Sequence, residues 1–185
     1  MIFIKANENT RKQMSSVFID GFYEEISFIN KDKNKLINGF AHMFILDTFY
    51  LALDNKQVIG IAGINKNNLP TVILKKKELI KHFGLFKGLL AYYKLNNEFT
   101  KKIYPFPLND KIGVLEFISV KEENRLQGVA FNLINFIIKE SAYKQFILEV
   151  YETNTKALNL YQKLGFQQFQ TDNAFLYLKK SKLTP

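Results

Sequence analysis

The 185-residue chain contains no cysteine. Disulfides and thiolate-held metals are therefore excluded. Histidine is nearly as scarce, with only His42 and His82, so a histidine-rich metal centre is not expected. Arginine is limited to Arg11 and Arg125 in a set of 26 basic residues. The formal net charge of +9 is thus carried by lysine. Readers of bases and clamps on phosphate favour the planar arginine fork. The charge is read as solvated lysine faces, helped by an anionic small ligand, and no nucleic-acid partner is expected. No apolar run reaches the roughly 20 residues that span a bilayer. The first residues, MIFIKANENTRK, lack the charged and apolar regions of a signal peptide. The expectation is a cytoplasmic protein with no transmembrane segment.

What is present argues for one packed domain over 1–185. Hydrophobic residues make up 47% and aromatics 15%, too much for disorder. Ile2 to Lys5 reads as a strand. Residues 10–29 place Met14, Val17, Phe18, Phe22, Ile26 and Ile29 near helical spacing. Lys31 to Leu46 reads as a second helix, and residues 49–64 as a hairpin turning at Asp54-Asn55. Asn67, Asn68 and Pro70 then break the pattern. A basic amphipathic helical insertion is expected at about 70–105, in which Gly84 and Gly88 each cost about 1 kcal/mol relative to Ala. It reads as a surface helix packed on the domain, with a membrane-surface or partner-binding helix as the other reading. PFPLND (105–110) reads as a loop.

Beyond Lys111 the signals sharpen. IGVLEFISV (112–120) is nearly all apolar, as a central strand buried on both faces would be. An apolar helix over 125–141 follows, then the buried strand FILEV (146–150). Thr153-Asn154 offers a helix N-cap and Gly165 a stop. The tail, 166–179, reads as two strands joined at Asp172-Asn173. The alternation predicts an α/β fold around a mixed sheet.

Between the strand and the apolar helix lies VKEENRLQGVA (120–130). The first turn of a helix presents unpaired N–H groups and the positive end of its dipole, which together suit an anion such as pyrophosphate. Gly128 lets an anion approach the backbone without a Cβ in the way. Ala130 is small, and Arg125 adds a cation. Taken alone, a glycine in such a turn is more often only a turn. A second stretch, NTKALNLYQKLGF (154–166), combines a cap asparagine, a small residue, a tyrosine and a Gly-Phe exit.

Together the two stretches resemble the GNAT superfamily of acyl-CoA-dependent N-acyltransferases. RLQGVA matches the family pattern Q/R-x-x-G-x-G/A at each fixed position. Asn154, Ala157, Tyr161, Gly165 and Phe166 match its later motif. The likeness is strong over 112–179, loose over 1–64, and absent over 66–110. It implies a mostly antiparallel central sheet with a splayed parallel pair, flanked by helices. It also implies acetyl-CoA as cosubstrate, with no metal. The thioester arm would lie along Ile118, Ser119 and Val120, and the pyrophosphate on the amides of Leu126, Gln127, Gly128, Val129 and Ala130 beside Arg125. Asn154 and Ala157 would complete the cofactor site. An amide near Ile118 would polarise the thioester carbonyl.

The implied chemistry is direct attack of a primary amine in a ternary complex. Tyr161 would be the general acid that protonates the thiolate; a core tyrosine is the other reading. Glu116 shares strand parity with Ile118 and Val120 and is read as facing the same way, as the base. A strand salt bridge is its alternative role. Glu149 and Glu152 are weaker candidates for the base, and Tyr151 is expected to line the acceptor channel. Phe22, Tyr23, Glu24, Glu25 and Phe28 are candidates for an amine pocket, but Glu24 and Glu25 are read in preference as a solvated helix face. A small-molecule amine is favoured over a protein N-terminus or lysine. A homodimer is compatible with the family. A non-catalytic acyl-CoA-binding module of the same fold is the alternative function.

Overall fold

The computed structural model describes residues 1–66 and 69–182; the expected break at Asn67 and Asn68 lies outside them. In chain order the elements are β1 (Ile2–Lys5), α1 (Arg11–Ile26), α2 (Lys33–Phe40), β2 (Phe49–Asp54), β3 (Gln57–Lys66), α3 (Lys76–Phe83), α4 (Leu85–Leu95), β4 (Ile112–Val120), α5 (Val129–Glu140), β5 (Gln145–Tyr151), α6 (Thr155–Lys163), β6 (Gln167–Asp172) and β7 (Phe175–Ser181). The strands form one sheet in the order β1-β2-β3-β4-β5-β7-β6. Neighbours run antiparallel except β4 and β5, which are parallel. Helices cover both faces, so β3 and β4 can be apolar along most of their length.

One face carries α1 to α4. Its core is aromatic: the buried Phe18 ring lies within 6.0 Å of the rings of Phe22, Phe40, Phe44, Phe99 and Phe117. Such pairs add about 0.5–1.5 kcal/mol each beyond their buried area. They tie α1, α2, the segment after α4 and the middle of β4 into one unit. The other face carries α5, whose Leu133, Ile134 and Ile137 are fully buried, together with Tyr161 and Leu164 from the α6 region.

Several boundaries differ from the sequence reading for identifiable reasons. The second helix stops at Phe40 rather than Leu46, because a 3-10 turn over Ala41–Met43 leads into extended backbone at Phe44 and Ile45 that pairs with 71–73: Ile45 N–H donates to Thr71 O at 2.9 Å and Ile73 N–H to Met43 O at 2.8 Å. The first hairpin turns at Asn55-Lys56, both at positive φ (46° and 65°), as a two-residue turn that matches strand twist requires. The final hairpin likewise turns one residue late, at Asn173-Ala174. The insertion is two helices, not one, since Gly84 (φ 80°) leaves helical space between them. Gly88 allows α4 to fold back on α3. A Cβ there would stand 2.6 Å from the backbone of Ile80.

Candidate active site

β4 and β5 pair only from Ile112↔Gln145 to Leu115↔Leu148. Beyond that they diverge, which leaves the β5-facing edge of residues 116–120 without a strand partner. The divergence coincides with a bulge. Between β3 and β4 the register jumps from Gly63↔Glu116 to Ile61↔Ser119, so three steps on β4 oppose two on β3. Phe117 sits at the jump with φ 50°, the left-handed region that costs a bulky residue about 1–2 kcal/mol. Its ring packs against Phe18, Phe22 and Phe99, and this packing offsets the strain.

The bulge breaks the alternation on which the Glu116 assignment rested. Phe117 packs with the α1–α4 core, whereas Ile118 and Val120 pack with the α5 core. Ser119 points back to α1, its hydroxyl donating to Val17 O at 2.7 Å. Glu116 stands on the α1 side too, so it does not share a face with Ile118 and Val120, as simple parity had implied.

Its carboxylate is held by three donors: the Thr71 hydroxyl at 2.6 Å, the Asn65 amide at 3.3 Å and the Tyr104 hydroxyl. Burial nevertheless dominates and raises its pKa above the ordinary 4.5. The folded state therefore holds a proton on Glu116 more tightly than the unfolded chain does. Stability from this group is largest at low pH and declines as pH rises from about 4.5 through the raised value. Replacement by the non-ionising Glu116→Gln should remove that decline. The melting temperature of the variant, relative to wild type, should climb as pH rises from about 4.5 and level off once Glu116 has ionised in the folded state. A difference independent of pH in thermal melts would show Glu116 ionised throughout.

After Val120 the chain turns at residues 121–128, with Leu126 (φ 63°) and Gly128 (φ 76°) both left-handed. These dihedrals start α5 at Val129 rather than at residue 125. No side chain caps the helix. Asn132 N–H reaches Gly128 O at 2.9 Å, while the amides of the preceding turn lie at the mouth of a cleft. Arg125 stitches the turn in place: Nε donates to Val120 O at 3.2 Å and Nη2 to Asp20 O at 2.6 Å. Gln127 likewise bonds to Glu123 O. The Leu126 side chain is 96% exposed, so this residue offers the site only its backbone. Lys33 and Lys156, which sequence reasoning missed, add cations to the cleft wall. Lys33 also pairs with Asp20 at 3.1 Å.

Asn154 caps α6, accepting from Ala157 N–H at 3.1 Å. Its side-chain NH2 stays available. Tyr161, two turns on, is 7% exposed. Desolvation pushes its phenol up to about 12, so it is protonated throughout the neutral range.

Two clefts meet here. One, about 730 Å³, follows Ile118 to Val120 and the turn at 125–130. The other, about 530 Å³, lies across the bulge and is walled by Glu116, Tyr104, Glu149, Tyr151 and Phe175. Ile118, Asn154, Ala157 and Tyr161 line both. Of the α1 residues singled out in the sequence, Phe22 lines the second cleft, Tyr23 and Glu24 the first, and Glu25 both. Phe28, in the turn after α1, lines neither; its ring lies beneath the Lys94 ammonium at 4.1 Å. Glu152 also lines neither. The wall residues Tyr104, Lys102 and Glu98 come from the segment that had no readable motif. Among the described residues, no cluster of His, Asp or Glu could hold a metal ion, and no helix is long and apolar enough to cross a membrane.

The first cleft fits acetyl-CoA on its own features: an open strand edge, a left-handed glycine at the turn, free amides and flanking cations. Comparison with known proteins gives the family. The model of the acetyltransferase (GNAT) family matches residues 13–166. An N-acetyltransferase from Staphylococcus aureus Mu50 superposes with a TM-score of 0.62 at 14% identity, over 97% of this chain and 100% of that one. A GNAT-family acetyltransferase from Streptococcus agalactiae 2603 does so with a TM-score of 0.59 at 13% identity, over 99% and 96%. At such identities these two matches speak to the fold. A search of curated proteins found none that matches.

Proposed function

The chain belongs to the GNAT family of acetyltransferases, and on that premise we propose that it moves an acetyl group from acetyl-CoA to a small-molecule primary amine, with Tyr161 as general acid. The supporting observation is the meeting of the two clefts at Ile118, Asn154, Ala157 and Tyr161. One cleft has the turn amides and Lys33, Arg125 and Lys156 for a phosphorylated cosubstrate, although Asp20, Glu24, Glu25 and Glu122 line it too; the other has five carboxylates and one lysine, which suits an amine.

Acetyl-CoA supplies an activated thioester. The amides of Leu126, Gln127, Gly128, Val129 and Ala130 would take its pyrophosphate, and Lys33 and Lys156 would balance the charge. Arg125 serves by fixing the turn, since its guanidinium is bonded to Val120 O and Asp20 O. The unpaired edge of Ile118, Ser119 and Val120 would hydrogen-bond the amide-bearing arm, and the Asn154 NH2 would add a donor. An amide near Ile118 would polarise the carbonyl.

The attacking amine must be neutral, and an ordinary alkylammonium holds its proton to about pH 10. Its nitrogen forms the new C–N bond as the C–S bond breaks. The nitrogen's surplus proton leaves towards Glu116. Because Thr71, Tyr104 and Asn65 hold that carboxylate, the transfer runs through water. Tyr161 gives its phenolic proton to the departing thiolate and recovers one from solvent. The products are the acetamide and the free thiol of CoA.

The test is an amine panel with saturating acetyl-CoA, followed by release of free thiol and by the mass of the product. Acetylated amine formed in step with thiol supports the reading. Thiol release without any acetylated amine would mean hydrolysis instead. Binding of acetyl-CoA with no turnover of any amine would leave a binding module.

A further inference from the structure

The second cleft holds an ammonium already, and it belongs to the protein. Lys102, in the irregular stretch after α4, reaches into the cleft and pairs with Glu149 of β5. Its Nζ lies 5.3 Å from the Tyr104 ring centre and 6.0 Å from that of Phe175. An acid flanked by aromatic faces is the chemistry that recognises an alkylammonium.

The surroundings have the same sign. Glu25, Glu98, Glu116, Glu149 and Asp172 line this cleft, and Lys102 is its one cation among the described residues. This occurs in a chain of net charge +9. Their fields converge, since Glu25, Glu98 and Glu149 all act, after burial, to raise the pKa of Tyr151. The Lys102–Glu149 pair itself is accessible, with side chains 28% and 20% exposed. A pair so placed holds its geometry only weakly and exchanges readily.

We propose that the acceptor is an alkyl diamine or polyamine, and that its second, non-reacting ammonium displaces Lys102 from the seat formed by Glu149, Tyr104 and Phe175. This rests on the acetyltransferase reading above. One amine is acetylated at the junction near Tyr161 while the other stays charged in the seat. Lys102 is then a stand-in that keeps the half-buried acid paired until the acceptor arrives, at a cost in apparent affinity.

The experiment compares 1,4-diaminobutane and spermidine with butylamine, which lacks the second cation, at saturating acetyl-CoA. The wild type should favour 1,4-diaminobutane over butylamine by about tenfold or more in kcat/KM, the scale of one partly desolvated ion pair. Lys102→Ala should raise that ratio by about fivefold or more as the competitor is removed, and Glu149→Gln should bring it close to one. Calorimetric titration of spermidine into protein saturated with CoA gives a readout free of turnover. Binding should tighten in Lys102→Ala and weaken in Glu149→Gln. Equal use of diamine and butylamine by the wild type, or a ratio that neither variant moves, overturns the proposal while the acetyltransferase reading stands. Spermidine binding that follows the two variants as stated, without turnover of any amine, upholds the seat and overturns the transferase reading instead.

Discussion

Tyr161→Phe should lower kcat by about 100-fold or more while leaving the dissociation constant of acetyl-CoA within about twofold. The reason is the size of the effect that one positioned acid supplies, about 10²–10⁴ in rate. The phenol lies at the one place that both clefts share. Burial holds its pKa at about 12, so the proton is present for delivery at neutral pH. A thiolate leaving without that proton is the costly alternative. The substitution removes one oxygen and retains the ring that packs with Phe166, so the fold should be unaffected. Stopped-flow or steady-state thiol release, set beside a calorimetric titration with acetyl-CoA, separates the two quantities. A kcat within a fewfold of wild type would move Tyr161 to a purely structural role in the α5-side core. The pH profile adds a second check. Since the raised phenol stays protonated up to about 12, no loss of kcat from its ionisation is expected below about pH 10.

Gly128→Val should raise the dissociation constant for acetyl-CoA by about tenfold or more, an effect of about 1.4 kcal/mol or greater. Gly128 has φ 76°, where a β-branched residue is strained by about 1–2 kcal/mol. The protein itself has room: a Cβ would meet only the Asn132 side chain, at 3.5 Å. The obstruction therefore falls on the ligand side, where the added methyls occupy the approach to the turn's amides. The strain alone should lower stability modestly, so thermal melts of the free variant set the baseline. An unchanged dissociation constant would place the phosphates elsewhere.

The two stretches that decide family membership were legible because each is local. RLQGVA states a strand-to-helix turn and its glycine within six residues. NTKALNLYQKLGF states a cap, a helix face and a stop within thirteen. The shape of the second cleft was not legible, because its walls are long-range contacts. Thr71 and Asn65 meet Glu116 across 45 and 51 residues of chain, and Lys102 meets Glu149 across 47. No periodicity encodes such pairings. The bulge at Phe117 was equally silent, since an apolar strand reads the same with or without one extra residue. That single residue decides which face Glu116 takes. The second helix ran too long in the sequence reading for a related reason. Its apolar spacing continues to Phe44, yet the backbone there pairs with the distant 71–73 segment.

The most direct test of the account is a pair of thermal melts of the full chain, without and with acetyl-CoA at about 100 times its dissociation constant. Binding to the folded state alone contributes about 2.7 kcal/mol under that condition. For a domain of this size the midpoint should rise by about 5–10 °C, and Gly128→Val should lose about half of that rise or more at the same ligand concentration. A cooperative melt whose midpoint acetyl-CoA does not move would contradict the assignment of the β4–α5 turn as the cosubstrate cradle, and with it the acetyl-transfer chemistry built on Tyr161.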